Sequence, residues 1–166
     1  SNLFGFEISP QAYELCKLKE SRKVHFELGN IFDTNDCYDV VLCLDVFEHV
    51  PDYMGFLSNL KSKGEYKVFH IPLDISVFSV LSGRMTNSRS SMGHLHYFTP
   101  SSAIDTLEDC GYEVLDSFFT AGFLRSSRST KLKSRLALIP RKLLYKLSPR
   151  ILARIFGGCS LIVLAK

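Results

Sequence analysis

YDVVLCLDVFEHVPD, Tyr38 to Asp52, carries five consecutive apolar residues (Val40, Val41, Leu42, Cys43, Leu44) behind a turn-like NDCYD. Five residues are too few for a helix of ordinary length, so the run is predicted to be a strand buried on both faces. It leads straight into Asp45, Glu48 and His49, with Pro51 and Asp52 beyond. In an open α/β sheet, ligands bind in the crevice past the carboxyl ends of the strands. Two acids and an imidazole at such an exit mark a candidate site.

Outward from this strand, helical and extended patterns alternate. Leu3 to Ser9 reads as a strand, and Ser9-Pro10 as an N-cap with Pro in the first turn of a helix to about Glu20. Lys23 to Leu28 is the next strand, closed by Gly29. Asp52 is predicted to cap a helix carrying Tyr53, Phe56, Leu57 and Leu60, and Gly64 to end it. Tyr66 to Ile71 is a strand stopped by Pro72. Leu73 to Tyr97 reads as one long connection, and connections of that length tend to be functional. Thr99-Pro100 opens a helix closed by Gly111, and Tyr112 to Phe119 is a strand. Leu132, Leu136, Ile139, Leu143, Leu147, Ile151 and Ile155 recur at intervals of three or four, one helical face interrupted by Pro140 and Ser148-Pro149. Ser160 to Ala165 is the last strand. The alternation predicts an α/β fold whose sheet is mostly parallel, with helices on both faces.

The 166 residues, 46% hydrophobic, suit one domain spanning 1–166 and exclude a disordered chain. No uncharged run approaches the roughly 20 residues that cross a bilayer, and no leader pattern opens the chain. The five cysteines (Cys16, Cys37, Cys43, Cys110, Cys159) never form a C-x-x-C pair, so core thiols in a reducing, cytoplasmic setting are expected, without structural zinc. The net charge of +3 hides an asymmetry. Residues 1–116 hold all 17 acids against nine Lys or Arg, while residues 117–166 hold eleven Lys or Arg and no acid. An acidic body with a basic tail piece usually has a partner behind it.

Asp45 to Asp52 has the form D-x-x-E-H-V-P-D, which resembles the run after the fourth strand of class I S-adenosylmethionine-dependent methyltransferases. LFGFEIS (Leu3 to Ser9) resembles that family's second strand, FELGNIFD (Phe26 to Asp33) its third strand and adenine-side turn, and His94 to Phe118 its late helix and sixth strand. The resemblance implies a Rossmann-like methyltransferase sheet and S-adenosylmethionine as cofactor. It also implies methyl transfer to a small-molecule acceptor, with an oxygen nucleophile favoured by His49.

The same resemblance suggests roles for particular residues. Glu7 stands where the family's ribose-binding acid lies, and a carboxylate can accept from both ribose hydroxyls; the competing role is a cap on the next helix. Asn30 stands where an Asp often meets the adenine amine, with Ile31 beside it, although a plain Gly-Asn turn explains both equally. Leu44 and Asp45 are expected near the cofactor's methionine half. His49 is the expected general base, and Glu48 would orient its imidazole or contact substrate, unless both merely brace the following helix. Asp45, Glu48 and His49 fall at i, i+3 and i+4 and could hold a divalent ion on a helical turn, but the commonness of this form in the family argues for no metal. His94, His96 and Tyr97 are expected to touch substrate or, as readily, to brace a helix start. His25 and His70 are read as structural.

Residues 125–157 are predicted to be a basic amphipathic helical insertion before the last strand. It would act as a lid, or contact an anionic membrane surface or a phosphate-bearing or lipid-linked acceptor. Nucleic acid is disfavoured because the basic residues lack interleaved aromatics. A non-catalytic methyltransferase-like scaffold, docking through these helices to a membrane or a protein, is the alternative function.

The family's first strand and glycine-rich loop find no match, so the sheet is expected to be N-terminally incomplete and the 166-residue chain to bind S-adenosylmethionine weakly. Calorimetry checks this directly, and tight binding by residues 1–166 would contradict it.

Overall fold

The computed structural model describes residues 2–124 and 132–166. The chain forms two compact units, Ser1–Tyr38 and Asp39–Lys166.

The first unit is one strand–helix–strand element. Strand β1 (Leu3–Glu7) lies parallel to β2 (Val24–Leu28), in register from Leu3 opposite Val24 to Glu7 opposite Leu28. Helix α1 (Pro10–Lys17) connects them. As expected, Ser9 caps it: the Ser9 Oγ accepts the Ala12 amide and Pro10 opens the first turn. The rings of Phe4 and Phe6 lie 6.0 and 6.2 Å from that of Tyr38. Among the described residues, no fully buried apolar side chain belongs to this unit.

The second unit contains the core. Its sheet has the order β3-β4-β6-β5, formed by β3 (Tyr38–Leu44), β4 (Gly64–Pro72), β5 (Val114–Thr120) and β6 (Ser160–Ala165). The last strand enters between β4 and β5 and runs antiparallel to both. This insertion breaks the otherwise parallel logic of alternating strands and helices, and nothing in the composition of SLIVLA distinguishes its direction.

Helix α2 (Tyr53–Leu60), capped by the Asp52 carboxylate at Gly55 N–H, buries Leu57 and Leu60. Phe47, Phe69, Ile71, Leu73, Leu107, Leu152 and Val163 complete the densest part of the core. Phe69 sits edge-on to Phe47 at 6.2 Å and to Tyr112 at 5.2 Å. The Tyr112 hydroxyl donates to the Leu57 carbonyl at 2.7 Å, which lets a buried phenol keep its hydrogen bond.

Two sequence-based expectations need correction. The run Val40 to Leu44 is not buried on both faces. Val41 and Cys43 are buried, while Val40, Leu42 (59% exposed) and Leu44 face outward. Uniformly apolar residues concealed a period of two, because only one face of β3 is packed. The connection Leu73 to Tyr97 contains α3 (Val77–Leu81) and α4 (Arg84–Met92). Gly83 and Gly93, both left-handed, separate and end them, and α4 has too few apolar residues to show a helical period. Helix α5 (Pro100–Asp109) starts at Thr99 as predicted, with a Thr99–Ser102 capping box.

The basic segment is helical where it is described. Residues 125–131 of the predicted insertion lie outside the described residues; α6 (Leu132–Leu147) and α7 (Pro149–Ile155) follow them. Of the apolar stripe, Ile139, Leu143, Leu147 (74% exposed), Ile151 and Ile155 face solvent, while Leu152 and Ala153 fill the core.

Because Phe69 is wholly buried among aromatic neighbours, Phe69→Ala should cost the second unit about 3–5 kcal/mol. Urea denaturation followed by tyrosine fluorescence reads this out. A loss below about 1 kcal/mol would contradict the packing described.

Candidate functional site

The site grows from the turn that ends β3. Asp45 adopts φ +53, the left-handed region that non-glycine residues occupy only in special turns. Its amide donates to the His70 carbonyl at 3.0 Å, tying the turn to β4. Its carboxylate accepts from His70 Nδ1 at 2.7 Å, and His70 Nε2 in turn meets Thr120 Oγ1 at 3.1 Å. Asp45, His70 and Thr120 therefore make one chain of hydrogen bonds across β3, β4 and β5.

One short helical turn, Phe47–His49, follows. Phe47 and Glu48 point inward and His49 outward, so Asp45 does not share a face with Glu48 and His49 as their spacing suggested. Glu48 is 0% exposed, and neither carboxylate oxygen has a hydrogen-bond partner. Burial, with smaller contributions from nearby charges, pushes its pKa up to about 7.

The Glu48 main chain does accept two hydrogen bonds, from Leu95 N–H at 2.8 Å and His96 N–H at 3.1 Å. They dock the segment after α4 against the turn. The same segment delivers two further groups. The Gly93 carbonyl lies 3.1 Å from His49 Nδ1, and Gly93, at φ +79, holds that carbonyl in place. His94, buried, sets its Nδ1 2.5 Å from Asp74 Oδ2. The rings of His49 and His94 meet edge-on at 4.9 Å, and His49 Nε2 lies 3.9 Å from Glu48 Oε1. One ligand atom each from Glu48, His49 and His94 falls within 4.8 Å of the others. The His49 side chain, 38% exposed, forms the open side of this cluster.

Of the residues expected to touch substrate, only His94 joins this group. His96 sets its Nε2 3.0 Å from the Val50 carbonyl and packs on Tyr53 at 4.4 Å; the Tyr97 hydroxyl donates to the Met85 carbonyl. Both hold the loop in shape. Glu48 does not orient His49 as expected; the Gly93 carbonyl does.

The residues expected to hold a nucleoside lie partly in the first unit. Glu7 Oε1 accepts the Ser9 amide at 2.7 Å, at the C-terminal end of β1, and keeps a second oxygen for another donor. Asn30 Oδ1 accepts from Phe32 N–H and caps the short helical turn that begins at Ile31. Leu44, half exposed, ends β3 in the second unit. Asp74, Thr120 and the Gly93 carbonyl escaped the sequence reading, and His70 was read only as structural. A polar His70 directly before Ile71-Pro72, at a strand end, was the one available signal.

The model of a methyltransferase domain family matches residues 1–117. This chain belongs to that family. The solved structures that resemble this methyltransferase domain agree in fold. A magnesium protoporphyrin IX methyltransferase from Synechocystis, determined with S-adenosylhomocysteine bound, superimposes with a TM-score of 0.55 at 17% identity. The match covers 99% of this chain and 64% of that one, so the chain spans less than two thirds of that relative's length. A SAM-dependent methyltransferase from Archaeoglobus fulgidus gives 0.59 at 18% identity, covering 98% and 75%. One from Mesorhizobium loti gives 0.59 at 11%, covering 99% and 80%. No curated protein sequence matches significantly.

The raised pKa of Glu48 has a stability consequence. Between its ordinary value of 4.5 and about 7, the unfolded chain releases this proton while the folded chain keeps it. Stability contributed by this group therefore falls as pH rises through that window, then levels off. In chelator-treated protein, Glu48→Gln should abolish that slope and be more stable than the parent by about 3 kcal/mol above pH 7. Denaturant titrations of both proteins across the window check this; a difference that stays flat would contradict an unpaired buried carboxylate.

Proposed function

We propose that this methyltransferase domain transfers the methyl group of S-adenosylmethionine to an oxygen of a small-molecule acceptor, beside the turn that carries Glu48 and His49. Family membership and the resemblance to structures solved with S-adenosylhomocysteine support the cofactor. The observation that carries the reaction class is the state of His49. Its Nδ1 faces a carbonyl, which can only accept, so that nitrogen bears a proton, and in the neutral ring Nε2, 3.9 Å from Glu48 Oε1, is the nitrogen able to take another.

In this reaction the acceptor oxygen attacks the sulfonium methyl carbon. The new O–C bond forms as the C–S bond breaks, and the C–S electron pair stays on sulfur, which becomes a neutral thioether. The acceptor's hydroxyl proton passes to His49 Nε2. The domain's main contribution is alignment of oxygen, carbon and sulfur. Asp45, held in its turn by His70, fixes where β3 ends. His94 lines the acceptor side.

With the protein as the cell makes it, methyl-labelled S-adenosylmethionine and the small-molecule fraction of a cell extract give the assay. His49→Ala should lower kcat by about 10²–10⁴-fold with little change in KM for S-adenosylmethionine. Unchanged transfer by the variant would remove His49 from the reaction.

The outward apolar stripe favours a second reading, in which the domain works at a membrane surface on a phosphate-bearing or lipid-linked acceptor, or serves there as a non-catalytic scaffold. Ile139, Leu143, Leu147, Ile151 and Ile155 are exposed beside Lys142, Lys146, Arg150 and Arg154. Val77, Phe78 and Leu81 of α3 line an apolar groove with Ile155 and Phe156. The protein should co-sediment with vesicles containing phosphatidylserine, and Leu143→Glu with Leu147→Glu should release it. Equal sedimentation of parent and variant would remove this reading.

A further inference from the structure

We propose that Glu48, His49 and His94 bind one divalent first-row transition-metal ion. A carboxylate that is wholly buried with neither oxygen hydrogen-bonded is costly, and native proteins keep such groups only where something unaccounted for meets them. Glu48 is that group, and it lies within ligand distance of two imidazoles.

Both imidazoles are prepared for ligation in the same way. His94 Nδ1 donates to the Asp74 carboxylate and His49 Nδ1 donates to the Gly93 carbonyl, so in the neutral form of each ring Nε2 is the nitrogen left to ligate. Metal-ligating histidines almost always carry such an acceptor on the other ring nitrogen. Ligation requires both rings neutral and Glu48 ionised, and with the Asp74 carboxylate the site then carries a formal charge of −2, which a dication neutralises.

The spacing fits after a small contraction. Ligand atoms about 2.1 Å from a shared ion stand roughly 3.0–3.5 Å apart. The Glu48–His49 separation is 3.9 Å and all three ligand atoms lie within 4.8 Å of one another, so ligation draws them together by roughly 1–2 Å. Two nitrogen donors and one oxygen favour Mn²⁺, Fe²⁺, Co²⁺ or Zn²⁺ over Mg²⁺ or Ca²⁺, which prefer oxygen throughout. Three protein ligands leave coordination positions open, and His49 lies on the accessible side. An oxygen of the acceptor would occupy one of them; that clause rests on the function proposed above, whereas metal binding itself does not. In the loaded state His49 would be a ligand, and the acceptor hydroxyl, acidified by the ion, would give its proton to solvent instead of to Nε2. This revises the expectation of no metal, which weighed Asp45, Glu48 and His49 without His94 or Asp74.

Calorimetric titration of chelator-treated protein with MnCl₂, CoCl₂ and ZnCl₂, with the visible absorption of the Co²⁺ form, tests the site without any methyl transfer. One ion per chain is expected. Glu48→Gln and His94→Ala should each weaken binding at least about 100-fold, and Asp74→Asn by about 10–100-fold through loss of ring orientation. His25→Ala, in the first unit, should change nothing. Glu48→Gln removes an unpaired buried charge and should stay folded by circular dichroism, so its loss of binding reports the ligand. Absence of saturable one-to-one binding, or binding untouched by Glu48→Gln, would overturn the proposal. Metal binding without methyl transfer would leave the site standing and remove the proposed function instead.

Discussion

An ionisable carboxylate enclosed by protein with no hydrogen-bond partner is the constraint around which the second unit is organised. Glu48 stays inside because its main chain is fixed on both sides. Phe47 anchors the preceding residue in the aromatic core, and the Glu48 carbonyl holds the Leu95 and His96 amides. Exposing the carboxylate would break those contacts. The fold thus tolerates an unfavourable charge at one point, which is where strain and buried polarity are expected if the position serves a purpose beyond stability.

The sheet and the loop after β4 contribute in different ways. β3 and β4 place Asp45 and His70 side by side, and β5 adds Thr120, so the strand ends are cross-linked by hydrogen bonds. The loop contributes adaptable parts: Asp74 at its start, Gly93 and His94 at its end, and two short helices between. Left-handed glycines at 83 and 93 turn the chain back so that residues about 45 positions apart in sequence meet at His49. The rigid strands position, and the loop supplies the chemistry.

Much of the architecture was legible in the residues because the signals were local. Ser9-Pro10, Asp52 and Thr99-Pro100 each cap the helix they were expected to cap. The family followed from Asp45 to Asp52 and the order of segments around it. What stayed hidden depended on non-local geometry. Five apolar residues in a row could not reveal that Leu42 and its outward neighbours lack cover. The stripe from Ile139 to Ile155 had the right period for a buried face, and periodicity alone does not say which way a face points. The site was half legible. Glu48 and His49 sit together in the motif, but their partners His94, Asp74 and the Gly93 carbonyl come from a loop with no helical or strand pattern. Asp45 looked like a third member by spacing and is turned away by a left-handed backbone.

The protonation of two imidazoles holds this account together. Long-range nitrogen–proton correlation spectra of the histidine side chains, in chelator-treated protein at about pH 8, observe it directly. The account predicts that His49 and His94 both carry their proton on Nδ1 and leave Nε2 bare. A proton on Nε2 of either ring would contradict it.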